Sequence, residues 1–183
     1  MIGKHECKCA RDTDLKGAIT IGLDEAFTAL EESIHDLDDE QVRAFAIPDR
    51  NNIAWIMMHT LHNLDMYANA FQAGDAALSH NERWSLWKCR YNERPKPGDD
   101  FPSQDELMKA LDAVRTAATA GIGSASESDL NGRRAADDWW PASSADAYMR
   151  TIFHAMAHAR QVWLLRGALG LLDGKSWPQQ HWA

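Results

Sequence analysis

Two histidines, His154 and His158, stand four residues apart in the segment FHAMAHARQVWLLRGALG. On a helix that separation turns the side-chain direction by only about 40°, so both imidazoles share one face and can reach one metal ion. A second apolar segment, NNIAWIMMHTLHNLDMYANAF, carries His59, which would supply a third nitrogen from across a helical bundle. Three neutral imidazoles on zinc or nickel leave at least one coordination position open, the mark of a catalytic rather than a structural site. Water in such a position has its pKa lowered to about 7, and a thiol is deprotonated outright. Hydrolysis and thiol transfer are therefore both open to this chain.

A lone histidine on an apolar helix face is more often a hydrogen-bonded core residue than a ligand, and it is the pair that shifts the balance. Ala155 follows His154, so the glutamate base of a zinc-protease HExxH motif is missing. His62, three residues past His59, points about 60° to one side. It adjoins Asn63 and Asp65 and reads as a surface residue or one standing behind the ligands, so His59 is the expected ligand. Gln161, three past His158, and Asp65, six past His59, are the candidates to orient a ligand or water, and either could equally be a capping or surface residue. His5, Cys7 and Cys9 lack the two-residue gap and second cysteine pair of a structural zinc site. Cys89 reads as an incidental thiol, and His181 as a surface residue.

These side chains need helices to carry them. Leu15, Ile19, Leu23, Ala26, Phe27, Leu30 and Ile34 recur at three- and four-residue steps, predicting a helix over 13–37 capped by Asp12, Thr13 or Asp14. The acidic stretch HDLDDEQV leads to Ile47-Pro48, and Asp49 or Asn51 is expected to cap a second helix over 51–72 that Gly74 ends. Ser103 and Glu106 have the spacing of a capping box for a third helix, reaching about residue 120. The glycine- and serine-rich stretch 121–134 reads as a loop. Ser143 or Ser144 caps a last long helix that ends at Leu169-Gly170, and 171–183 reads as an irregular tail. With no period-2 run of β-branched residues and no internal repeat, the expected fold is all-α.

The chain has 183 residues, enough for a single domain with one core over 1–183, its first 12 residues a flexible N-terminus. A net charge of −8 with scattered basic residues argues against nucleic-acid binding. No stretch suits a signal peptide or a membrane span, and three cysteines cannot all pair, so a cytoplasmic setting is expected. Among eight tryptophans, Trp139, Trp140, Trp177 and Trp182 lie in polar or proline-flanked stretches, where large rings often line a cleft or a subunit contact.

IAWIMMH at 53–59, followed by HAMAHARQ and LLRGALG within 154–170, resembles the DinB/YfiT superfamily, which is distinct from the DNA polymerase sharing part of that name. The resemblance implies an up-down-down-up four-helix bundle in which His59, His154 and His158 bind a divalent metal, nickel or zinc first, manganese or iron next. It favours thiol-dependent S-transferases or isomerases, with a small-molecule substrate or thiol as partner; a homodimer is expected on separate grounds, because long bundle helices with spare apolar rings often pair. Ala155 and Ala159-Arg160 depart from the usual pattern around the second and third ligands, which leaves the triad intact. The competing expectation is a non-catalytic, dimerising module that binds a metal or small ligand.

Overall fold

The computed structural model describes residues 13–74, 76–79, 84, 94–132 and 141–172. His5, Cys7, Cys9, Cys89, Trp139, Trp140, Trp177, His181 and Trp182 lie outside them, as do the N-terminus 1–12 and most of the tail. The described residues are all-α: four long helices around one core, with short helices in the connections.

Helix α1, Leu15–Ile34, starts where the Asp14 carboxylate accepts from the Gly17 N–H at 2.6 Å. Its buried face is Ile19, Leu23, Ala26, Phe27, Leu30 and Ile34, while Leu15, expected on that face, is exposed. The acidic stretch after it holds a further helix, α2, Asp39–Arg43, closed by a reciprocal box between Asp38 and Gln41. At five residues it is too short for a hydrophobic period to show in the sequence. Helix α3, Ile53–Asp65, is capped by Asn52 rather than by Asp49 or Asn51. The Asn52 side chain does two jobs, accepting from the Trp55 N–H and donating to the Arg43 carbonyl, so it ties α2 to α3.

After Asp65 the helix widens into a π-helical turn, Met66–Ala70, then returns to α form as α4, Phe71–Ala73, and stops at Gly74 with a left-handed φ of 77°. Helix α5, Gln104–Ser124, opens with the Ser103–Glu106 capping box. It runs past Gly121 and Gly123, where a loop was expected, and Ser126 with Asp129 caps one more short helix, α6, Glu127–Asn131. The loop reading of 121–134 weighed glycine too heavily: the glycine penalty of about 1 kcal/mol is offset when the helix face is buried, and Ile122 is 1% exposed. Helix α7, Ser144–Ala168, is capped by Ser143. It closes in a Schellman motif, with Leu171 N–H on the Arg166 carbonyl, Gly170 N–H on the Gly167 carbonyl, and Gly170 at φ 73°.

Helix α1 packs against α7 and α5, and α3 packs against the same two. Gly22 of α1 faces Ile152 of α7, and Ser33 accepts from Arg166 further along, so these two helices run parallel. Lys16 donates to the carbonyls of Gly123 and Ala125 at one end of α5, and Gln104 at the other end donates to those of Ile34 and His35. That makes α1 and α5 antiparallel. At the α3–α7 crossing, His59 meets His154 and His158, and Gln72 beyond α3 meets the start of α7, so this pair is antiparallel too.

One polar contact locks the α1–α7 register. The Arg166 guanidinium, 4% exposed, donates to both carboxylate oxygens of Asp36 at 2.6 and 2.8 Å and to the Ser33 carbonyl at 3.0 Å, and packs on the Trp163 ring. The bond from Arg166 holds the Asp36 carboxyl below its ordinary pKa. Arg166→Ala strands the Ser33 carbonyl and half of this clamp, and we expect it to cost about 2–3 kcal/mol. Urea denaturation should show an earlier midpoint at an unchanged slope; an unshifted midpoint would mean the clamp is decoration.

Candidate metal centre

The triad forms where α7 crosses α3. His154 and His158 project from α7 one turn apart, their ring centroids 4.4 Å from each other, and His59 of α3 lies 5.2 Å from the first and 4.9 Å from the second. Each residue offers one nitrogen, and the three nitrogens lie within 4.8 Å of one another. Bonds of about 2.0–2.1 Å from zinc to imidazole put the nitrogens of a tetrahedral set about 3.4 Å apart. All three rings are partly buried.

The surroundings of each ring suit a ligand. Nε2 of His154 is buried with no hydrogen-bond partner among the described residues, a costly state for a polar atom unless an ion or ligand takes it up. Nδ1 of His158 lies 2.8 Å from Oε1 of Gln161. Since that oxygen only accepts, the imidazole carries its proton on Nδ1 and leaves the Nε2 lone pair free for a metal. The Trp55 indole stacks on His59 at 5.3 Å and 10°, one turn before it on α3. Ala155 and Ala159, each following a ligand histidine, are 1% exposed and face the core. A glutamate at 155 would be buried there, which explains why its absence leaves the triad undisturbed.

The sequence candidates separate clearly. His59, His154 and His158 come together, and Gln161 stands behind His158. His62 lies apart from the triad, edge-on to the buried Trp84 ring at 5.6 Å. Asp65 takes the capping role of the two open to it. Its carboxylate accepts from the Ala77 and Leu78 N–H groups and from Asn69 Nδ2, so it ties down the chain beyond α4 rather than orienting a ligand.

Sequence reasoning missed the ground beside the centre. An open cleft of about 310 Å³ is lined by Ile47, Asp49, Arg50, Asn51, Ile56, Arg94, Gln161, Leu164 and Leu165. Asp49 adopts a left-handed φ of 57° at the turn that carries this rim. Arg94 also lines a small recess with Trp55, Asp99 and Asp100. No sequence signal marks Arg50 or Arg94, because both sit in irregular, proline-flanked stretches.

Burial lowers the pKa of His59 to about 4, aided by the charges of His158 and His62. Burial likewise lowers His154 to about 4, aided by His158 and His59, and lowers His158 against the opposing bond from Gln161. At neutral pH the three lone pairs are thus available without displacing protons. In the unfolded chain a histidine titrates near 6.5. The folded form therefore has full stability above that value and loses it as pH falls from about 6.5 toward 4, where the unfolded state binds more protons. For protein stripped of metal, the thermal midpoint should drop over this window, and the drop should be shallower in His59→Gln/His154→Gln. Equal slopes in the two proteins would show that the imidazoles are not held neutral.

Comparison with known proteins places this geometry. No match was found among curated proteins. One solved structure similar to this chain, a crystal structure of the conserved protein of locus from Enterococcus faecalis, is 20% identical and superposes with a TM-score of 0.61 over 84% of this chain and 96% of that one. That likeness speaks to the fold alone. A family model described as the DinB superfamily matches residues 23–162, from α1 through both α7 histidines to the residue after Gln161. The chain belongs to the DinB superfamily.

Proposed function

We propose that this protein is a metal-dependent enzyme in which His59, His154 and His158 hold one divalent ion, nickel or zinc, and act on a small molecule by thiol transfer or hydrolysis. The observation that carries this reading is the triad itself: three imidazoles that each bring a nitrogen within 4.8 Å of the others, beside a buried His154 Nε2 with no hydrogen-bond partner among the described residues. A divalent ion bound there supplies Lewis acidity and lowers the pKa of a thiol or water in its open coordination position.

The chain's own residues set the conditions for that chemistry. Partial burial keeps the three rings neutral, so they donate lone pairs rather than repel a cation. Gln161 fixes the tautomer and the ring plane of His158. Trp55 covers one face of His59 and limits its rotation. The cleft beside Gln161 has the volume of a small-molecule site and joins apolar side chains to a few polar ones. The cluster with metal-ligand geometry is made of three histidines and contains no carboxylate among the described residues.

Elemental analysis of the purified, untagged protein should find about one divalent ion per chain, and His59→Ala, His154→Ala and His158→Ala should each lose it. Manganese or iron in place of nickel or zinc would keep the centre and change its identity. Gln161→Ala should retain the fold and bind metal about 10–100-fold more weakly. With metal in place, small thiols paired with electrophiles, and simple esters, are the assays that separate transfer from hydrolysis. Folded wild-type protein that takes up no metal would leave three core histidines and favour a non-catalytic binding module.

A further inference from the structure

The cleft beside the metal centre has a chemical character of its own. Its apolar side is made by Ile56 of α3 and Leu165 of α7, and continues to Ile47 and Leu164, which are 40% and 69% exposed. Two guanidinium groups, Arg50 and Arg94, stand in the same lining although they are far apart in sequence. Neither has an ion-pair partner among the described residues, whereas Arg43, Arg115, Arg150 and Arg166 each pair with a carboxylate. The acids nearby are Asp49 in the cleft lining and Asp99 and Asp100 beside Arg94 in the adjoining recess. In a chain of net charge −8, this cleft brings two arginines into one partly apolar lining that holds a single aspartate. Arginine offers a planar fork of donors that matches the oxygens of a carboxylate or phosphate.

We propose that this cleft binds a small amphipathic acid, its anionic group held by Arg50 and Arg94 and its apolar part lying on Ile56 and Leu164, next to Gln161 and the triad. As a statement of substrate class it rests on the reading of the triad as an enzyme centre. A thiol or an electrophile bearing a carboxylate fits it, and so does a phosphate monoester with a short hydrocarbon chain. Amines and neutral polar molecules do not.

The test uses the full chain and four probes of matched length: hexanoate, hexyl phosphate, hexanol and hexylammonium, titrated into isotopically labelled protein and followed by amide NMR shifts. Both acids should saturate with shifts at Arg50, Asn51 and Gln161, and bind at least about tenfold more tightly than the alcohol or the amine. The tighter of the two acids identifies the headgroup. Arg50→Ala and Arg94→Ala should each weaken acid binding about 5- to 10-fold and leave the alcohol unaffected, with partial recovery in Arg50→Lys and Arg94→Lys. Leu164→Ser should erode the preference for hexanoate over acetate. Metal-stripped protein should retain the acid preference, and Arg50→Ala should retain wild-type metal content, so loss of metal binding and loss of acid binding report on separate claims. The proposal is overturned if hexanol binds as tightly as hexanoate, if the arginine variants bind acids like wild type, or if acid binding vanishes on stripping the metal.

Discussion

Everything at the candidate site depends on how α7 is held between α1 and α3. Toward α1, the Arg166 clamp on Asp36 and Ser33 fixes the axial position of α7, and the absence of a side chain at Gly22 lets Ile152 close in. Toward the core, Ala155 and Ala159 keep the helix flat where its neighbours approach. A slide of one residue along α7 rotates its side chains by about 100° and would carry His154 and His158 away from His59 together. Because an arginine carbonyl also anchors the Schellman ending of α7, the same residue fixes both where the helix stops and where its histidines stand.

That rigidity gives the three imidazoles their electrostatic state. Rings 4.4–5.2 Å apart between centroids would repel strongly if any two were charged, and partial burial removes much of the water that would screen them. The cheapest folded state is one with all three neutral, and neutral imidazole is the form that ligates metal. The arrangement therefore needs no neighbouring base to prepare it. Gln161 adds direction rather than charge, since its oxygen selects which nitrogen of His158 keeps the proton.

Much of this was legible in the sequence, for identifiable reasons. The four long helices announced themselves because each has a buried face several turns long, as Ile19 to Ile34 and Leu107 to Ala118 show. The histidine pair was legible because a spacing of four has one meaning on a helix, and Gln161 because a spacing of three from His158 puts it in reach. Short elements escaped: α2 and α6 depend on capping boxes of one turn each, Asp38 with Gln41 and Ser126 with Asp129, which carry too few residues for a period. The role of Asp65 stayed open because proximity in sequence says nothing about which partners claim a carboxylate; two backbone N–H groups from beyond α4 claimed it. Arg94 was invisible because only the tertiary fold brings it alongside Arg50.

The spending of Asp65 on the chain beyond α4 has a consequence for charge at the centre. Had its carboxylate turned toward the triad, it would have offset part of the charge of a bound cation and favoured a closed, structural site. With Asp65 satisfied by Ala77, Leu78 and Asn69, and with Ala155 where a glutamate would be buried, the donor set is neutral among the described residues. Three neutral donors leave the full charge of a divalent cation facing its open side, and electrostatics there favours anionic partners such as a thiolate over neutral ones. The neighbouring cleft carries Arg50, Arg94 and Asp49 in its lining, with Asp99 and Asp100 beside Arg94 in the adjoining recess. A histidine set without carboxylates and a pair of fork-shaped arginine donors thus offer an anion two separate points of contact, although they arise from different parts of the chain.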